Sequence, residues 1–133
     1  MAMPRKPRGN CKNCEAVLNR PEKVFCNVSC QKQYEYTEYI RLWKRGLVSG
    51  SNGGAGVSAY IRRYLREKFE DSCGYCKWNR KHPATGEVPI EVHHKNGDGS
   101  DHREENLIML CPNCHSLTPS YRGRNRGNGR KNR

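Results

Sequence analysis

Apolar residues are scarce in this chain, and acidic ones scarcer still. Hydrophobic side chains make up 34% of the 133 residues, with only two Phe and two Trp. That excludes a large core, because chains this poor in apolar surface depend on metal or disulfide staples to stay folded. At this length the chain is one ordinary domain or two very small ones. No apolar run approaches the ~20 residues of a membrane-spanning helix, and no amphipathic anchor or lipidation motif is present, so no membrane partner is expected. No apolar targeting segment opens the chain; MAMPRKPR is basic and Pro-rich. A cytoplasmic location, in a bacterial or phage-infected host cell, is the expectation.

Against 13 Asp and Glu stand 25 Lys and Arg, a net charge of +12. Residues 1–66 carry 13 basic and 4 acidic side chains, residues 67–106 carry 6 and 9, and residues 107–133 carry 6 and none. Two basic flanks bracket a mildly acidic centre. A polyanion is the expected partner, and double-stranded DNA fits better than a membrane surface; no protein partner is indicated.

Cysteine is abundant. Eight residues fall as four close pairs: Cys11/Cys14, Cys26/Cys30, Cys73/Cys76 and Cys111/Cys114. Without a secretory leader, thiolates on zinc are favoured over a disulfide scaffold. The absence of a βαβ pattern argues against a thiol redox protein. Cys-x2-Cys, eleven residues and Cys-x3-Cys suit one closed tetrahedral zinc site. That first set closes a knuckle or small finger, which either staples the fold or also touches DNA. The second set, with 34 residues between its pairs, clamps a larger unit, so two structural Zn²⁺ ions are expected.

Residues 1–10 read as a disordered basic arm. A helix is predicted from Asn27 or Ser29 to about Arg45, with Tyr36, Ile40 and Trp43 on one face and Gly46 as its C-cap; the finger and this helix make a unit over 11–45. The Gly/Ser-rich stretch 46–57 reads as a linker. A second helix is predicted from Ser58, a good N-cap, to about Glu70. Its cations Arg62, Arg63 and Arg66 either contact phosphate or cover a solvated face. After the last cysteine a final helix is predicted to end near Tyr121. The tail 122–133, RGRNRGNGRKNR, has no apolar residue and reads as a tether for nucleic-acid backbone, with Arg122, Arg124 and Arg126 as candidate contacts.

The remaining stretch, EVHHKNGDGSDHREENLIMLCPNCH over residues 91–115, organises the rest. His93 and His94 end a short apolar run, a turn-rich loop follows, and Asn106 precedes the run 107–110. Pro112 suits the first turn of a helix, giving strand, loop, strand, helix. Cys114 and His115 are helix neighbours whose side chains diverge by about 100°. Four thiolates complete a tetrahedron, which leaves His115 for another task. His82 and His102 read as solvated loop residues, His102 with an allowance for phosphate contact.

The ordered set His93-His94, Asn106 and His115, between Cys73-x-x-Cys76 and Cys111-x-x-Cys114, resembles the HNH endonuclease family. The resemblance covers about residues 73–121. It implies a small, zinc-stapled α+β protein: a ββα-metal, treble-clef-like nuclease core over 58–121, preceded by a helical segment and the N-terminal zinc finger. It also implies phosphodiester hydrolysis, nicking or double-strand cleavage with 5′-phosphate products. On that resemblance His94 is the general base, His93 and His115 hold a catalytic divalent metal, and Asn106 pins the loop across the site and orients His94. A histidine pair shifts metal preference from Mg²⁺ toward Mn²⁺, Ni²⁺ or Zn²⁺ without excluding Mg²⁺. Glu91, on the His93 face, is either a partner for that ring or an exposed strand carboxylate. Homing, restriction and phage packaging roles fit equally. The competing reading is a non-catalytic zinc-finger DNA-binding protein, which needs the cysteines and the basic flanks but not the three histidines and Asn106 together.

Overall fold

The computed structural model describes residues 1–121. In chain order the elements are α1 (Val28–Lys44), α2 (Ala59–Lys68), β1 (Glu91–His94), a 3-10 turn (Glu104–Asn106), β2 (Leu107–Leu110) and α3 (Pro112–Ser116). The chain divides into two units, Met1–Arg41 and the part from Leu42 onward. Among the described residues no helix is long and apolar enough to cross a membrane.

In the first unit the cysteine pairs sit on tight turns. Cys11 N–H bonds Ala16 O at 2.8 Å and Leu18 N–H bonds Gly9 O at 2.9 Å. Asn10, expected in the arm, pairs with Val17 as an isolated bridge. Glu15 adopts φ 64° and its carbonyl accepts from the Asn10 side chain at 2.8 Å, which offsets the cost of a left-handed non-glycine residue. Asn27 caps α1: its Oδ1 accepts from Cys30 N–H at 2.8 Å. Tyr36 and Ile40 are buried on one face of α1; the helix runs on into the second unit, where Trp43 is buried on the same face and Gly46 follows at φ +74°, as a helix C-terminus favours.

In the second unit Ser58 Oγ accepts from Tyr60 N–H at 3.2 Å, opening α2. Ile61 and Leu65, one turn apart, are 0% exposed. They face a core completed by Val57, Val88, Ile90 and all four residues of β2. β1 and β2 form an antiparallel pair in the register Glu91–Leu110, Val92–Met109, His93–Ile108 and His94–Leu107. So small a set of apolar side chains suits a fold that is also stapled through its cysteine quartets. The Cys73 turn docks on β2, with Gly74 N–H bonding Met109 O at 2.7 Å. A Cβ at Gly74 would lie 2.6 Å from the Ile108 side chain, so a larger residue would push that buried side chain from its place.

Two segments depart from expectation. The Gly-rich stretch 46–57 is folded: Ser51 bridges Val57, Ser58 N–H bonds Gly50 O at 2.8 Å, and Asn52 Oδ1 accepts from Gly54 and Gly56 N–H at 2.9 and 3.2 Å. The final helix ends at Ser116 rather than near Tyr121. Thr118 Oγ1 donates to the His115 carbonyl at 2.8 Å, and Pro119 can neither donate to a further turn nor leave Thr118 free to stay helical. The basic tail, with Arg122, Arg124 and Arg126, lies outside the described residues.

Candidate active site and metal sites

Cys11, Cys14, Cys26 and Cys30 form one cluster and Cys73, Cys76, Cys111 and Cys114 another, the ligand atoms of each within 4.8 Å of one another. Cys26 Sγ lies 3.7 Å from Cys14 Sγ and 3.3 Å from Cys30 Sγ, and Cys76 Sγ lies 3.8 Å from Cys111 Sγ. A metal–sulfur bond of ~2.3 Å gives a tetrahedron edge of about 3.8 Å, so both quartets have the dimensions of a thiolate metal site. None of the eight is in a disulfide.

Their electrostatics agree. Backbone N–H groups, that of Cys14 foremost, bring the Cys11 thiol down to about 6. Burial pushes Cys73 up, but the N–H groups of Cys76, Cys111 and Tyr75 outweigh it and leave it at about 6. Cys26, hydrogen-bonded to the Cys30 thiol, and Cys114, hydrogen-bonded to the Cys76 thiol, are pushed up to about 12. Thiols this crowded cannot all ionise unless a cation sits among them.

The second unit also carries a groove of about 710 Å³. His93, His94, His115, Glu91, Arg62 and Arg66 are among its lining residues. Successive strand residues point to opposite faces, and the two histidines of β1 accordingly take different neighbours. His93, 6% exposed, has its ring centroid 5.3 Å from that of His115, which α3 brings across the groove. His94 Nε2 lies 3.0 Å from His102 Nδ1. Burial, and then the nearby charge of His115, push the pKa of His93 down, which keeps its lone pair available. His115 Nδ1 is 3.0 Å from Glu91 Oε2. Glu91 therefore partners His115, not His93: it projects beside α3 because β1 runs along the start of that helix.

Asn106 is 5% exposed and its side chain is spent on the loop between the strands. Its Oδ1 accepts from Asn96 N–H at 3.0 Å, and its Nδ2 donates to Asn96 Oδ1 and Asp101 O, each at 2.9 Å. Arg62 and Arg66 reach the groove. Arg66 is partly committed to Asp71 at 3.0 Å and Val88 O at 3.3 Å. Arg63 does not line the groove; it pairs with Glu67 at 2.9 Å along α2.

His102 is the residue that sequence reasoning missed. It is buried, 6% exposed, rather than solvated. No spacing or motif marks it, because its partners come from the fold.

The unit is thus a β-pair, buried along β2, and a short helix, joined by a cysteine quartet and carrying histidines on one groove. The HNH endonuclease family model matches residues 73–118, and the chain carries an HNH endonuclease domain. It is 42% identical over 80 residues, 56% of this chain and 33% of the other, to H-N-H endonuclease F-TflIV of Escherichia phage T5. It is 30% identical over 123 residues, 85% of this chain and 33% of the other, to Zorya protein ZorE of Escherichia coli. The chain thus spans about a third of the length of these curated relatives. No solved structure matches it.

Proposed function

We propose that the chain is a metal-dependent DNA endonuclease that hydrolyses a phosphodiester bond of double-stranded DNA in the groove of its second unit. The observation that carries this is the convergence of His93, His94 and His115 on one groove with the cation Arg62. A pure binding module has no need of three histidines there, and a thiol redox protein has no need of the groove.

In this reading His94 takes the proton from the attacking water, a task suited to a neutral imidazole with a pKa near ~6.5. His93 and His115 would hold a divalent ion, and a pair of imidazole ligands shifts preference from Mg²⁺ toward Mn²⁺, Ni²⁺ or Zn²⁺ without excluding Mg²⁺. Bound there, such an ion neutralises phosphate charge and stabilises the leaving oxygen. Glu91 orients the His115 ring. Arg62, Arg66 and the tail cations Arg122, Arg124 and Arg126 bind flanking phosphates. Asn106 pins the loop that carries the chain from His94 to His102. Both cysteine quartets hold structural Zn²⁺, and the protein acts in the cytoplasm.

The name of the T5 relative, an H-N-H endonuclease, supports the activity. A supercoiled plasmid incubated with the protein and each of several divalent ions tests it, with a chelator control. Nicked or linear product that disappears with chelator is expected. Binding without cleavage under every ion would leave the zinc-finger DNA-binding protein as the reading.

A further inference from the structure

The geometry points to His102 as a positioning residue for His94, held by a segment that lies upstream of the family-matched region. This rests on His94 being the base of the proposed reaction. His102 stands in a polar loop, where a histidine ordinarily faces water, yet it is 6% exposed. A buried imidazole needs hydrogen-bond partners, and the ring finds one in His94: Nδ1 to Nε2 is 3.0 Å, with the ring centroids 5.1 Å apart.

The backbone at His102 is fixed from several directions. Its carbonyl accepts from the Trp43 indole N–H at 2.7 Å. Trp43 is itself 4% exposed and packs edge-on against Tyr64, centroid to centroid 5.6 Å. Gly50, at φ +83°, lies flush on the pair: an added Cβ would come within 3.1 Å of His102 Cβ, 3.1 Å of Trp43 Nε1 and 2.5 Å of Ile61 Cδ1. On the other side the carbonyl of Asp101 is held by Asn106 at 2.9 Å.

A general base must present its lone pair at a fixed place. Two imidazole nitrogens at bonding distance share one proton; for His94 to keep a lone pair on its Nδ1 for the water, its Nε2–H donates and His102 Nδ1 accepts, and that bond holds both the tautomer and the rotation of the His94 ring. Trp43 and Gly50 lie outside residues 73–118. The upstream segment is therefore part of the machinery that aims the base, and not only a tether to the finger.

Full-length, metal-loaded protein with His102→Ala, His102→Leu, His102→Asn or Trp43→Phe tests this. Cleavage of supercoiled plasmid is measured together with metal content, thermal midpoint and the ring ¹⁵N shifts of His94. The Ala and Leu variants are expected to lose roughly 10- to 100-fold in kcat with KM for DNA and metal content retained. His102→Asn, whose amide stands where Nδ1 stands, should recover most of the loss. Trp43→Phe, which keeps the packing and loses the N–H, should fall between. The His94 shifts should report one tautomer in wild type and the Asn variant, and an averaged pair in Ala and Leu. Recovery by Leu but not Asn would mean that His102 only fills space, and His94 shifts unmoved by any variant would overturn the contact. Should wild type cut no DNA, the endonuclease reading falls, and the nitrogen shifts by themselves decide for or against the His94–His102 bond.

Discussion

Asn106→Ala removes a buried side chain whose polar atoms are fully engaged. Three hydrogen bonds go with it, at 3.0, 2.9 and 2.9 Å. At a net ~1 kcal/mol each, the sum is about 3 kcal/mol. Asn96 is exposed, so water can take over its two groups, and that recovery brings the expected loss to about 2–3 kcal/mol. Urea unfolding at fixed free zinc, followed through Trp43 and Trp78 fluorescence, reads it; the midpoint should fall with an unchanged slope. Activity should fall further than stability explains, because the released loop runs directly into His102. Asn106→Asp, which sets a carboxylate oxygen against the Asn96 Oδ1 and Asp101 carbonyl acceptors in a buried site, should lose at least as much. A loss below about 0.5 kcal/mol, the level of an ordinary surface change, would refute the claim that this side chain holds the loop.

Further expectations follow from the same geometry. Chelator-washed protein should retain close to two zinc ions, and Cys73→Ser should lose one and unfold the nuclease unit, since metal binding there is folding energy; elemental analysis with circular dichroism checks both. Removing residues 122–133 takes away six positive charges, and Arg62→Ala takes away one from the groove. DNA affinity should fall in each case, and the salt slope should flatten by about 0.9 for every phosphate that is no longer neutralised. The Arg103 guanidinium beside Asp101, helped by Arg103 N–H and the Asn96 amide, holds the Asp101 carboxyl well below the usual carboxylate range. Its stabilising contribution is therefore present above the unfolded value of about 3.9 and is lost as pH falls through the lower folded value. Asp101→Asn should accordingly flatten the acid limb of a stability-against-pH curve and leave other charges titrating as before.

Local signals in the sequence located much of this fold. Asn27 and Ser58 stand where helix caps are needed, Tyr36, Ile40 and Trp43 follow helical spacing, and the apolar run 107–110 is the buried strand. The pairing of Cys73/Cys76 with Cys111/Cys114 follows from each set closing its own unit. What local pattern cannot carry is contact between distant segments. His102 looks like a solvated loop residue until Trp43, 59 residues earlier in sequence, meets its carbonyl. Glu91 shares a strand face with His93, yet α3 brings His115 to it. The glycines of 46–57 suggest looseness by composition, but side chains of Ser51 and Asn52 close that loop on itself. The end of α3 is partly legible: Pro119 bars a further turn, while the bond of the Thr118 hydroxyl to the His115 carbonyl cannot be read from propensity.

The most direct test of the account is plasmid cleavage by His94→Ala at saturating divalent metal, with metal affinity measured by calorimetry on the same preparation. A base acts only on the attacking water, so cleavage should be lost while metal and DNA binding stay near wild type; His93→Ala, by contrast, should bind the catalytic metal weakly and regain part of its rate at high metal concentration. If His94→Ala loses the metal and His93→Ala keeps it, ligand and base are exchanged. Cleavage by His94→Ala at close to the wild-type rate would contradict the account itself.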